Sequence, residues 1–330
     1  MNKLVIHFGA GNIGRGLIGQ LSQLNDLKLV FVDLNKDLID QINSKKQYTI
    51  RSLPSDQNVV ITNCSGLVLG VDNDKIIEMI SQAGMITTSI GSQNLSRLVE
   101  LIQKGLKLRS NLDKISLACF ENAYKASQNL YEEIVKDDYL IKDKLTYINV
   151  VVDRLVPTQK DPTLDLIVED FFSVWYVKEF RDSTWLFNKK TGEILTNYDN
   201  YFYQKFYGVN GLHFSVALLG WKHKKLYINE VLDDRLLKYT IAHLVEELSL
   251  GISKYLDLDL NETKVYLEKN IERFSNKYLT DQIERVCRNI SQKLGKNERF
   301  LPIYEYLIEH NYKHEILDEI YKIAKEYMNR

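Results

Sequence analysis

The stretch from Lys3 to Asp33 constrains the fold of this chain more than any other. Leu4, Val5 and Ile6 form a short apolar run of strand type, and Gly9, Gly11 and Gly14 follow as G-x-G-x-x-G. Apolar residues then recur at helical spacing from Leu17 to Leu24, and a second β-rich run ends at Asp33. Each glycine has its own task. Gly9 permits the tight turn out of the strand, Gly11 lets a pyrophosphate approach the backbone, and Gly14 lets helix and strand pack closely. Asn12 and Ile13 lie where the helix begins, and a helix N-terminus offers N–H groups and a positive dipole end to phosphates. Asp33, at the end of the second strand, can accept hydrogen bonds from a ribose 2′-OH. A glycine triplet alone is a weak signal. Strand, glycines, helix, second strand and terminal acid in this order make a dinucleotide the expected ligand, against a glycine-rich βα turn with none.

The pattern continues in the same style. Residues 36–44 read as a helix, and Tyr48–Leu53 with Val59–Asn63 as an edge hairpin. Helical spacing returns over 74–83 and 95–104, with strands at 85–91 and 115–119 and a helix to about Val135. A further strand, 146–152, precedes Asp153-Arg154. Alternating strands and helices imply a parallel, doubly wound sheet of Rossmann type. Ligands of such sheets lie beyond the carboxyl ends of the strands, so Thr87, Thr88, Ser89 and Gly91 are candidates to line the dinucleotide. An ordinary buried strand end fits Thr88 as well. Residues 164–177 alternate and are aromatic, which reads as one strand. Residues 181–198 are polar, with turn signals such as Lys190-Thr191-Gly192.

From Tyr201 the chain is almost all of helical period: 201–220, 228–252, 263–272, 280–293, 301–309 and 314–328. The expected architecture is a dinucleotide-binding domain over 1–195 and an all-helical substrate domain over 196–330. A cleft between such domains is the natural place for a site.

Composition narrows the function. A net charge of −1 gives none of the basic excess of a nucleic-acid binder. The three cysteines, Cys64, Cys119 and Cys287, have no metal-ligand spacing and form no disulfide framework, which fits a reducing cytoplasm. No apolar run reaches the roughly 20 residues a membrane span needs. The expectation is a cytoplasmic protein, monomeric or a small homo-oligomer, with no metal, no nucleic acid and no membrane.

Lys205, Asn210 and His213 open the helical half. On an α-helix they fall within an arc of about 140° and face one side. Moving a hydride to a carbonyl needs a proton donor, donors for the developing oxyanion, and groups that orient the substrate. A half-buried lysine can move the proton, an asparagine amide can hold the oxyanion, and a histidine can do either. The competing reading is a solvated lysine and a satisfied core histidine, and spacing alone favours it. Gly208 and Gly211 shift the balance, because each glycine costs a helix about 1 kcal/mol. Something must come close to that backbone.

Lys205-x4-Asn210-x2-His213 resembles the signature of the polyol-specific long-chain dehydrogenases, the family of mannitol 2-dehydrogenases and mannonate and altronate oxidoreductases. The run His7–Gly16 is similar to the opening of its mannitol-1-phosphate 5-dehydrogenase branch. Thr87-Thr88 with Gly91, Cys119 with Glu121-Asn122, Asp153-Arg154 to Pro157, Asp161-Pro162, Arg273 to Asp281, Glu284-Arg285-Val286, and Arg288 to Leu294 fit in order. The resemblance implies metal-independent hydride transfer between a phosphorylated ketohexose and a hexitol phosphate, fructose 6-phosphate and mannitol 1-phosphate. It implies Lys205 as general acid and base, Asn210 and Asn122 holding the oxyanion, and His213 on the reacting hydroxyl. Asp153, Arg288 and Lys293 line the polyol pocket in that reading, and Arg154 joins them as a cation for the phosphate.

Asp33 favours a free 2′-OH and repels a 2′-phosphate, and no arginine follows it. NAD(H) is therefore preferred, with NADP(H) still open through nearby Lys36. The chain departs from the family at Phe120, which reads as an extra residue, in the segment after Arg288, and in ending at Arg330. These departures leave a nucleotide-linked ketose open as substrate. A protein of another class, a non-catalytic NAD sensor, would keep the loop but has no use for Lys205, Asn210 and His213.

Overall fold

The computed structural model describes residues 3–110, 113–136, 138–157, 163–176, 193–195, 197–278 and 280–330. Asp161-Pro162, the Lys190–Gly192 turn and Leu279 lie outside the described residues. The strands are β1 (Leu4–Phe8), β2 (Lys28–Asp33), β3 (Tyr48–Leu53), β4 (Gln57–Ile61), β5 (Cys64–Val68), β6 (Met85–Thr88), β7 (Ile115–Cys119), β8 (Leu145–Tyr147), β9 (Val150–Asp153), β10 (Leu166–Glu169), β11 (Ser173–Tyr176) and β12 (Glu193–Ile194). The chain divides into two compact units, Met1–Tyr198 and Asp199–Arg330.

All five residues of β1 are buried, so the strand must be covered on both faces. It pairs in parallel with β2 and β6, inside a sheet ordered β5-β2-β1-β6-β7-β8 whose pairings are all parallel. Side chains alternate across it. Leu4, Ile6 and Phe8 meet Ile76, Ile80, Ile102, Leu106, Leu130 and Ile134 of three helices on one face. Val5 points to the other face, where Leu17, Ile18 and Leu21 of the first helix lie with Tyr48, Ile50, Leu166 and Tyr176. Burial on both faces is why these strands read as unbroken apolar runs rather than alternating ones.

Three of the expected strand regions differ from the sequence expectation. The hairpin β3–β4 is not an edge of the main sheet; it forms a separate three-stranded sheet, with β10 parallel to β3. The expected strand 146–152 is two strands. β8 completes the main sheet, and the chain then turns at Asn149, whose Oδ1 accepts from the Gln128 N–H (3.2 Å), into β9 of a third sheet with β11 and β12. Residues 164–177 likewise split into β10 and β11. Periodicity locates strands but cannot say which sheet each joins.

The regular elements of the second unit, from Leu212 on, are helices joined by short turns and loops: Leu212–Lys222, Ile228–Leu232, Lys238–Leu256, Leu260–Phe274, Ile283–Cys287, Ile290–Lys293, Leu301–Glu309 and Glu315–Met328. The expected helix 228–252 breaks over Asp233 to Leu237, and 280–293 breaks at Arg288-Asn289, where Asn289 is left-handed (φ +57°). Asp259 caps Leu260–Phe274 through the Glu262 N–H (2.8 Å). The buried Glu247 carboxylate caps the last helix, accepting from Ile316 and Leu317 N–H at 3.0 Å. A carboxylate at a helix N-terminus satisfies otherwise unpartnered donors and complements the dipole.

Candidate active site

The glycine loop is built from beneath. Gly9 adopts φ +109°, and its N–H donates to Val32 O at 2.8 Å. A Cβ on Gly14 would lie 1.9 Å from Gly9 O and 2.8 Å from His7 Nε2, so only glycine closes this turn. His7 is fully buried under the loop, with Nδ1 2.8 Å from Thr87 Oγ1 and Nε2 2.9 Å from Ser89 Oγ. Burial lowers its pKa to about 3, outweighing a hydrogen bond to Gly9, so the ring is neutral at ordinary pH. Arg15 is buried as well and donates to Ala10 O, Thr163 O and Leu164 O.

Gly11 is different. It is exposed, and nothing lies within 4 Å of where a Cβ would stand. That open backbone, at the start of a helix and beside a strand-terminal acid, fits the diphosphate of a dinucleotide. Asn12 turns its side chain inward, donating to Pro157 O (3.2 Å), and Ile13 packs on the core, so only the backbone of these two residues is left to meet a ligand. Asp33 has a second task that spacing did not reveal. Its Oδ2 accepts from Ala10 N–H (2.6 Å) and its Oδ1 from Asn35 N–H (2.9 Å), fastening the loop to the end of β2.

Beyond β6, a residue given no role by the sequence holds the end of that strand together with the turn after it. Glu121 is 8% exposed; its Oε1 accepts from Thr88 Oγ1 (2.9 Å) and Ile90 N–H (2.8 Å), and its Oε2 from Gly91 N–H (3.0 Å). Thr88 is wholly buried and donates its hydroxyl to this carboxylate, so its side chain is engaged within the protein. Gly91 (φ +85°) carries the backbone past it. Asn122, the next residue after Glu121, is exposed. The only sequence signal for Glu121 was its place beside Asn122 after β7.

Asp153 ends β9 and is buried. Arg154 departs from its expected place in a substrate pocket. Its guanidinium is buried, donates to Gly16 O (2.7 Å), Gln20 Oε1 (2.6 Å) and Glu169 O (3.3 Å), and stacks on Phe172 at 5.1 Å. It ties the first helix to β10, and burial lowers its pKa to about 10.

In the helical unit the expected helix 201–220 has an interruption. Tyr198–Lys205 is α-helical, Phe206–Gly211 is π-helical, and the α-helix resumes at Leu212. Such bulges concentrate at functional sites. In an i→i+5 turn, residues five apart stand nearly above one another, so Lys205 and Asn210 come closer to one face than an α-helix would bring them. Both are half-buried. The close approach that Gly208 and Gly211 signalled comes from the protein itself. A Cβ on Gly211 would meet Arg299 O at 2.6 Å, and one on Gly208 would meet Leu267 and Tyr266 at 3.0 and 3.1 Å.

His213 is held by residues far along the chain. Its Nε2 is 3.2 Å from Asp281 Oδ2, and the Phe274 ring lies 4.7 Å from its own. Asp281 is gripped by a fork from Arg285, Nε to Oδ1 at 2.6 Å and Nη2 to Oδ2 at 2.5 Å. Burial pushes this carboxyl up, but the His213 and Arg285 hydrogen bonds outweigh it and hold the group well below the usual carboxylate range. The Asp281 carbonyl also accepts from Ile228 N–H (3.0 Å), which fixes the segment. Arg288 is exposed at the break after Ile283–Cys287. Lys293 is half-buried and donates to Val286 O (2.5 Å); burial, with the charges of Arg299 and Arg285, lowers its pKa to about 8. Among the described residues, no group of three or more His, Cys, Asp or Glu side chains stands close enough to hold a metal ion.

A parallel sheet with a glycine-rich turn after its first strand, followed by a helical unit, is the architecture of a two-domain nicotinamide-dependent dehydrogenase. Residues 3–186 match the mannitol dehydrogenase Rossmann domain, and residues 197–329 match the mannitol dehydrogenase C-terminal domain. The chain belongs to the mannitol dehydrogenase family. It is 36% identical to a mannitol-1-phosphate 5-dehydrogenase of Mycoplasmopsis pulmonis, over 98% of this chain and 87% of that one. A protein of the same name from Lactiplantibacillus plantarum is 36% identical over 92% and 81%. Among solved structures, Pseudomonas fluorescens mannitol 2-dehydrogenase, in a ternary complex with NAD and D-mannitol, superposes with a TM-score of 0.81. It covers 98% of this chain and 78% of that one at 17% identity, a likeness of fold.

Proposed function

We propose that this chain interconverts fructose 6-phosphate and mannitol 1-phosphate with NAD(H). The observation that carries the reading is its 36% identity to a mannitol-1-phosphate 5-dehydrogenase across nearly its whole length. The Gly9–Gly14 loop would hold a nicotinamide dinucleotide, which when bound would supply or take the hydride at the ketose C2. Lys205 gives a proton to the carbonyl oxygen in reduction and removes it from the hydroxyl in oxidation. Asn210 and Asn122 donate amide N–H groups to that oxygen as negative charge develops on it. His213 accepts from or donates to the same hydroxyl, with its ring direction set by Asp281. Asp153, Arg288 and Lys293 take the remaining hydroxyls and the phosphate; the buried position of Arg154 gives it a bracing role instead. Asp33 supports NAD(H) over NADP(H), because its carboxylate, already fastened to the loop, would stand against a 2′-phosphate.

The test is NADH and NADPH oxidation with fructose 6-phosphate, free fructose, other ketose phosphates and a nucleotide-linked ketose. The reading requires turnover with fructose 6-phosphate and NADH to exceed every other pairing. Faster turnover with a different ketose would overturn the substrate, and faster turnover with NADPH the cofactor. NADH binding without turnover on any ketose would make the chain a sensor.

A further inference from the structure

Glu121 is a buried carboxylate that the reaction above does not use. Three donors converge on it: the Thr88 hydroxyl and the Ile90 and Gly91 N–H groups. The two backbone N–H groups can only donate, so each carboxylate oxygen acts as an acceptor here. Sheet order places it relative to a bound dinucleotide. The glycine loop leaves β1, and β2 lies on one side of β1 with Asp33 at its end. The ribose of the adenosine half belongs on that side. β6 and β7 lie on the opposite side of β1, so the nicotinamide half belongs over their carboxyl ends. Glu121 follows β7 and clamps the segment that follows β6.

The two redox states differ in charge at that end. The oxidised nicotinamide ring is a cation and the reduced ring is neutral. A buried negative charge distinguishes them, because Coulomb attraction is stronger out of bulk solvent. The Cys119 thiol, which interacts with Glu121, is kept neutral by burial, and so is the His7 ring beneath the loop, so neither cancels that charge. Lys125 sets its ammonium over the Tyr124 ring, 4.9 Å from the centroid.

We propose that the Glu121 carboxylate tunes the relative affinity of this chain for oxidised and reduced dinucleotide, favouring the oxidised, cationic form. The proposal rests on the dinucleotide reading but not on the identity of the sugar. It is tested by binding rather than turnover. Dissociation constants for NAD+, NADH and ADP-ribose are measured by calorimetry for the wild type and for Glu121→Gln. The variant keeps the size of the side chain but removes the charge, and it turns an amide N–H toward one of the three donors.

The expected result is that NAD+ binding weakens about tenfold more than NADH binding, while ADP-ribose, which has no nicotinamide, binds as before. A merely structural clamp would weaken NAD+ and NADH equally, and that result overturns the proposal. If Glu121→Gln loses ADP-ribose too, Glu121→Asp decides, since it keeps the charge on a shorter arm. A wild-type ratio of NAD+ to NADH affinity in Glu121→Asp supports the proposal, and a ratio shifted tenfold toward NADH refutes it. Failure of the ketose assay with the ratio shift intact would sink the substrate reading alone.

Discussion

Replacing Asp281 with asparagine should disable His213 without disturbing the fold around it. The carboxylate receives three N–H groups, two from Arg285 and one from His213 Nε2. An asparagine offers one acceptor oxygen and two N–H donors, so its amide nitrogen must face a former donor. Arginine cannot change its donors, but neutral histidine can. His213 would therefore shift its proton to Nδ1, and the nitrogen left for a reacting hydroxyl would change from acceptor to donor. A hydrogen bond to a charged group contributes about 1.5–3 kcal/mol. The Arg285 side chain is 37% exposed, so water recovers part of that, and a net loss of about 2 kcal/mol is expected. That corresponds to a melting temperature lower by about 6 °C in a domain of this size. The tautomer reversal should cost kcat/KM about 10- to 100-fold, or roughly 1.4–2.7 kcal/mol. The acid limb of stability should flatten as well. A carboxyl held below its usual range stabilises fully above about pH 4–5 and loses that contribution as pH falls toward its lowered folded value. The asparagine variant has nothing to lose there. Thermal unfolding across pH 3–7 and steady-state kinetics read both effects. Wild-type stability with kcat/KM within twofold would refute the reasoning.

Three further outcomes follow from the geometry. Lys205→Ala should keep NADH affinity by fluorescence titration while kcat falls about 10²- to 10⁴-fold; unchanged kcat would remove its proton-transfer role. Gly14→Ala puts a methyl group 1.9 Å from Gly9 O, so the loop must shift, and NADH binding should drop below detection while circular dichroism stays native; retained affinity would contradict the loop's role. The Lys293 ammonium, with its pKa lowered to about 8, loses charge as pH rises through that value. If it meets the substrate phosphate, KM for fructose 6-phosphate should rise above pH 8 with kcat less affected, and Lys293→Met should abolish that limb; a flat KM to pH 9.5 would remove Lys293 from phosphate binding.

The sequence by itself determined the first βαβ unit and the helical second half, and it singled out Lys205, Asn210 and His213 as candidates for the chemistry. These follow from local rules: glycine where the backbone must turn or be approached, apolar periods of two kinds, and residue types suited to proton and oxyanion chemistry. Tertiary structure decided what local rules cannot. It turned Arg154 inward onto the Gly16 and Glu169 carbonyls, because a buried cation must find acceptors and these lie far off in the chain. It assigned Gly208 and Gly211 to close contacts with Leu267 and Arg299, and inserted the π-turn that draws Lys205 toward Asn210. It gave His213 a carboxylate 68 residues away and gave Thr88 another in Glu121. Partners separated by tens or hundreds of residues leave no period and no spacing in one sequence. They exist only where packing brings a donor and an acceptor out of water together, and burial is what makes each pairing necessary.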